Sequence, residues 1–165
     1  MRHIMKFDKI PDNSIISNGF GKTDYCDSYK VYSQTSDNID KITSNIFKTP
    51  KWIDFLMSIR NSTVKFFGLK IGDKEDLHFA DHYPIGSKAV YFTVIARNDN
   101  EIVMAENDKH LNFRTSVLIS KQEANSIIYL TMIVKFNNIW GRIYFLPVKP
   151  FHRIIINSLL KRAIL

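Results

Sequence analysis

Between Ile127 and Phe136 the chain sets Ile128, Leu130, Met132, Val134 and Phe136 on one beat, while the other beat mixes in Tyr129, Thr131 and Lys135. A period of two is the period of a strand, and one apolar face opposite one mixed face is the pattern of a half-buried antiparallel sheet. A chain with such a strand must build a sheet around it and then cover the apolar side. Further strands are expected over Ala89–Arg97, Ile102–Glu106, His110–Ser120 and Gly141–Leu146. The connectors carry turn chemistry in Asn98-Asp99-Asn100, Asn107-Asp108, Lys121–Asn125 and Asn137-Asn138, which makes the whole run a meander. Tyr25–Tyr32 reads as an earlier, first strand.

Helices supply the cover. Ser36-Asp37 reads as a cap ahead of Ile39, Ile42 and Ile46, a short amphipathic helix. A second helix is expected from Thr49 as N-cap and Pro50 in the first turn, with Trp52, Phe55, Leu56, Ile59, Thr63 and Phe66 on one stripe and Gly68 as the stop. Leu69–Pro84 reads as a loop. A final helix is placed from Pro150, with Phe151, Ile154, Ile155, Ser158 and Leu159 as its apolar stripe and Lys161 and Arg162 answering the dipole at its end. The first 22 residues form an extended arm. The expected architecture is a single α+β domain over residues 1–165: a curved antiparallel sheet wrapped around a long C-terminal helix, with a helix pair after the first strand.

Composition narrows the function classes. The chain of 165 residues is 45% hydrophobic and holds 12 Phe, 7 Tyr and 2 Trp, enough large apolar bodies for a core and for the lining of a cavity. Its net charge of +7 is scattered over single lysines and arginines, without a basic run or a nucleic-acid motif, which argues against a nucleic-acid partner. The one cysteine, Cys26, excludes an intrachain disulfide and reads as an inert, partly buried thiol. No Cys/His spacing fits a zinc site, and His78 and His82 fall in a loop where they would not converge on a metal. Neither a leader nor a membrane span of about twenty apolar residues is visible, so a cytoplasmic location is expected.

The candidate binding residues come from the strands and helix ends. In Asp108-Lys109-His110-Leu111-Asn112-Phe113-Arg114, His110, Asn112 and Arg114 share one face, and Leu111 and Phe113 the other. His110 and Arg114 could bind an anionic group, or form a cross-strand salt bridge with Asp108, Glu106 or Glu101. Arg60, at the edge of the second helix's stripe, needs a partner if half-buried, with Asp108 the first choice. Arg142 and Tyr144 would share a strand face at a cavity mouth. His152 would sit near the positive end of the final helix. No nucleophile elbow or other catalytic constellation is present, and catalytic residues stay unassigned.

Four pieces together resemble an uncharacterised bacterial family in the START-like, birch-pollen-allergen-like (SRPBCC) superfamily. They are Trp52 with Ser58-Ile59-Arg60-Asn61 and Gly68-Leu69-Lys70; Asp108 to Arg114; Asn138 with Gly141-Arg142-Ile143-Tyr144; and Pro150-Phe151-His152-Arg153. They span the chain from Pro50 onward. The resemblance implies the helix-grip fold, in which a sheet grips the C-terminal helix around an apolar cavity. It implies no catalytic residue, cofactor or metal. Asn112 departs from it, standing where an acidic residue is expected. The function expected first is binding of a hydrophobic or amphipathic small molecule between sheet and C-terminal helix, an acidic head group being met by Arg60, Arg114 or Arg142. An enzyme using the same cavity, with His110 and Asp108 as an acid–base pair, is the second expectation. An interaction protein meeting an acidic partner through its basic surface is the third.

Overall fold

The computed structural model describes residues 4–48, 79–90, 92–123 and 125–163. The strands are β1 (Met5–Phe7), β2 (Tyr25–Ser33), β3 (Lys88–Ala89), β4 (Phe92–Arg97), β5 (Glu101–Asn107), β6 (Leu111–Lys121) and β7 (Ser126–Phe136). They form one open sheet in the order β1-β2-β7-β6-β5-β4-β3, and every pairing is antiparallel. The strands from β3 to β7 are consecutive neighbours, and β2 closes against the last of them. Two helices are described, α1 (Ile39–Phe47) and α2 (Ile139–Ala163). The order is that of an α+β protein with a C-terminal helix against an antiparallel sheet, an arrangement compatible with a helix grip. The expected helix over Thr49–Gly68 lies outside the described residues.

The alternation in β7 has the consequence it implies. Ile128 and Leu130 join the larger core with Val31, Val117, Ile119, Ile102 and Val94, closed by Ile39, Ile42 and Ile46 of α1 and Ile156, Leu159 and Leu160 of α2. Met132 and Val134 join a second cluster with Phe145 of α2, against which Tyr25, Leu111, Phe113 and Phe136 pack. Leu111 and Phe113 therefore face the helix, and Asn112 and Arg114 face away from it.

The side away from the helices is drier than the mixed beat of β7 suggests. Residues 10–20 cross it, with Ile16 and Phe20 packed on Val103 and Ile133 and beside Cys26. Fully buried Glu101 accepts from the Ser14 hydroxyl at 2.6 Å and the Ile15 amide at 2.8 Å. Arg114 donates to the carbonyls of Ile16 (2.9 Å) and Asn18 (2.6 Å), and its guanidinium lies 4.9 Å from the centre of the Phe20 ring.

Two helix starts differ from the sequence reading. Asn38, not Ser36-Asp37, caps α1, its Oδ1 accepting from the Lys41 amide at 2.8 Å. More consequentially, the expected strand over Gly141–Leu146 is part of α2, which starts well before Pro150. Asn138 caps it, Oδ1 accepting from the Gly141 amide at 3.2 Å. Gly141, Tyr144, Phe145, Ile156, Leu159 and Leu160 are buried, a spacing of three and four rather than two. Pro147 and Pro150 lie inside the helix. Both fall on its exposed side, where water can serve the carbonyls of Ile143 and Leu146 that their missing N–H groups leave open.

Candidate functional site

The face of the sheet under α2 is mostly apolar, and among the described residues its buried charge is Asp27 of β2. The register sets Asp27 beside Met132, Met132 beside Thr115, Thr115 beside Met104 and Met104 beside Val94. This row crosses the sheet between the larger core and the Phe145 cluster. Asp27 is 2% exposed. A carboxylate so placed must be answered, since an unpaired interior charge costs several kcal/mol.

Two hydroxyls and, farther off, an imidazole converge on one of its oxygens. The hydroxyls of Tyr25 and Tyr29, two residues to either side and so on the same face, donate to Oδ2 at 3.1 Å and 3.2 Å. From above, His152 of α2 brings Nδ1 to 3.6 Å from the same oxygen. Burial pushes the Asp27 carboxyl up, but the imidazole and the two phenols outweigh it and hold it below the usual carboxylate range. Burial and then the charge of Asp27 raise both tyrosines, so the phenols stay protonated and keep donating. The other oxygen, Oδ1, is buried and has no hydrogen-bond partner; among the described residues it shares this only with the hydroxyls of Thr43 and Ser116. A buried acceptor on a charged group is normally satisfied by protein, water or ligand. The arrangement is a fixed anionic acceptor with one unpartnered oxygen, set between two apolar clusters and beside the flexible thioether of Met132 on the neighbouring strand.

The residues singled out from the sequence are dispersed. His152 is in the cluster, but it sits in the second half of α2 rather than at its start. Arg114 is on the other face, holding the N-terminal segment. His110 is at the rim, Nδ1 3.1 Å from Asn138 Oδ1, and its carbonyl accepts from the Asn137 amide at 2.9 Å. Asp108 lies in the same turn, its amide donating to the Leu111 carbonyl. Asn112 stands 3.1 Å from the Asn137 amide group. Arg142 and Tyr144 do not share a face. Tyr144 is buried beside Leu111 and Val148, whereas Arg142 is exposed and lies 5.7 Å from the Phe136 ring centre. The correction follows from the helix: residues two apart point nearly opposite ways on it, not the same way. Arg60 lies outside the described residues. Asp27 was the residue the sequence reading passed over, although a charge on the same beat as Tyr25 and Tyr29 in a first strand is a visible signal.

A second buried carboxylate has a different character. Asp40 of α1 receives Arg97 Nη1 at 2.8 Å and Nη2 at 3.0 Å, and the Tyr83 amide at 2.8 Å. His82 Nδ1 stands at 3.4 Å, and Arg97 also donates to the Tyr83 carbonyl at 2.6 Å. Both oxygens are in use, which makes this a clasp of α1 to β4 rather than a receiver.

The model of a family described as "Protein of unknown function (DUF2867)" matches residues 20–159. No curated protein and no solved structure matches the chain.

Proposed function

Since the chain belongs to this family of unknown function, DUF2867, we propose from the site itself that the protein binds a hydrophobic or amphipathic small molecule between the sheet and α2. The observation that carries the reading is the buried Asp27 carboxylate, bonded on Oδ2 and without a hydrogen-bond partner on Oδ1. In an apolar surround a fixed acceptor of this kind selects a hydrogen-bond donor. The head group that suits it is a hydroxyl or an amine, not the acidic group expected from the arginines. Neither Arg114, on the far face, nor Arg142, at the surface, supports an acidic head. The same reading takes the sheet-and-helix arrangement as the helix-grip fold of the START-like superfamily.

A second reading assigns chemistry to the same cluster. His152 oriented by Asp27 is the geometry of an acid–base pair, and it takes the place of the pairing of His110 with Asp108.

The test is native mass spectrometry of the purified protein and its Asp27→Asn variant, followed by denaturing extraction. A stoichiometric small molecule with an apolar body and a donor head, lost in the variant, is the expected result. A protein that is empty, and stays empty with hydrophobic alcohols and amines, would refute the binding reading. Conversion of the extracted molecule by wild type but not by His152→Gln would favour the second.

A further inference from the structure

The outward side of α2 joins two properties that a solvated helix face does not need together. Ile139, Trp140, Ile143, Leu146, Phe151 and Ile154 are between 43% and 71% exposed. At about 100° per residue, Leu146, Ile139, Pro150, Ile143, Ile154, Pro147, Trp140 and Phe151 follow one another around the outer surface in that order. From Ile139 to Ile154 they form an apolar arc opposite the buried stripe; beyond it Asn157, Ser158 and Lys161 fall on the same side. Arg142, Lys149 and Arg153 recur at intervals of seven and four and line a single flank of the arc. From Ile139 to Ala163 the helix has no Asp or Glu. Among the described residues none of these three cations is in an ion pair; Arg142 and Lys149 lie over the rings of Phe136 and Tyr25, and Arg142 also acts on Asp24, which is already bonded to Lys22.

We propose that this face of α2 docks in the plane of an anionic lipid bilayer. A broad apolar face with a tryptophan at one end and cations along its border is the distribution that an interfacial helix requires: side chains enter the acyl boundary and lysine and arginine meet the phosphates. The occupant is fixed by charge. A second copy would bring the same cations against themselves, and a neutral apolar partner would leave them unanswered. No helix among the described residues is long and apolar enough to cross a membrane, so contact is with the surface only.

The experiment is flotation with vesicles of phosphatidylcholine alone and of phosphatidylcholine mixed with phosphatidylglycerol. The full chain is compared with Ile143→Ser/Ile154→Ser and with Lys149→Gln/Arg153→Gln. The expected result is binding to the mixed vesicles, weak or absent on phosphatidylcholine, and weakened by salt. It should fall about tenfold or more in the apolar variant, from the loss of two large side chains entering the boundary. The charge variant should fall severalfold. All four positions are exposed, so thermal midpoints should stay near wild type, separating lost docking from lost folding. With Trp52→Phe, the remaining Trp140 should shift its emission to the blue on mixed vesicles. Absence of binding to the mixed vesicles would overturn the proposal, as would binding that the apolar substitutions leave unchanged. A wild-type dimer dissociated by Ile143→Ser/Ile154→Ser would overturn it in favour of self-association.

Discussion

At the scale of single residues, three carboxylates are buried among the described residues, each held in its own way. Glu101 holds the N-terminal segment, Asp40 holds α1 to β4, and Asp27 keeps an oxygen unused. Burial raises Asp40, and the Arg97 guanidinium with the Tyr83 amide more than reverses it, so Asp40 and Asp27 both titrate lower folded than unfolded. The sign of the pH dependence follows. A depressed carboxyl binds fewer protons in the folded state, so its stabilisation is complete above the unfolded value and lost as pH falls through the folded one. The urea midpoint should therefore be level above about pH 5 and decline steadily below about pH 4. Asp40→Asn should flatten that decline; a midpoint unchanged down to about pH 2 would show that neither pair matters to stability.

At the scale of elements, the decisive contact is between the start of α2 and the turn joining β5 to β6. A Cβ on Gly141 would overlap the His110 carbonyl oxygen. That carbonyl cannot swing aside easily, since it accepts from the Asn137 amide. Alanine is the better helix former by about 1 kcal/mol, yet here the clash should win. Gly141→Ala should destabilise by about 1–3 kcal/mol in chemical denaturation; a stabilised variant would mean that the turn yields. The same region shows why the sequence was legible only in part. Local alternation says which residues of β6 and β7 share a face, but not which face of β6 meets the helix; the packing of Leu111 and Phe113 against the Phe145 cluster decides that. The beginning of α2 does not follow from local pattern either, because Pro147 and Pro150 resemble punctuation when their exposed side is unknown. Asn138 with Gly141 three residues on was the available sign of a cap.

At the scale of the whole molecule, the sheet has two covers of different kinds. Helices cover one face, and an irregular segment, residues 10–20, covers the other through a few bonds to Glu101 and Arg114. Periodicity revealed the first cover. Nothing periodic announces the second, because its partners are backbone carbonyls and amides met by side chains far along the chain. The pairing of Asp27 with His152 escaped for the same reason: it joins the first long strand to the last helix, and no local pattern encodes it.

Cys26 makes that second cover measurable. Its side chain packs beneath Ile16 and Phe20, and burial, followed by the charge of Asp27, raises the thiol. The thiolate is the species that attacks a thiol reagent, so at neutral pH the reaction should run far below that of a free cysteine. The thiol is partly buried, so its labelling rate is a clock for how closely the segment covers it. Glu101→Gln keeps the shape but removes the charge that receives Ser14 and Ile15, and should quicken the clock about tenfold, the equivalent of one charged hydrogen bond. An unchanged rate would locate the gate elsewhere than at Glu101. The lone thiol thus serves as a built-in reporter of how tightly the chain's beginning is fastened to its middle.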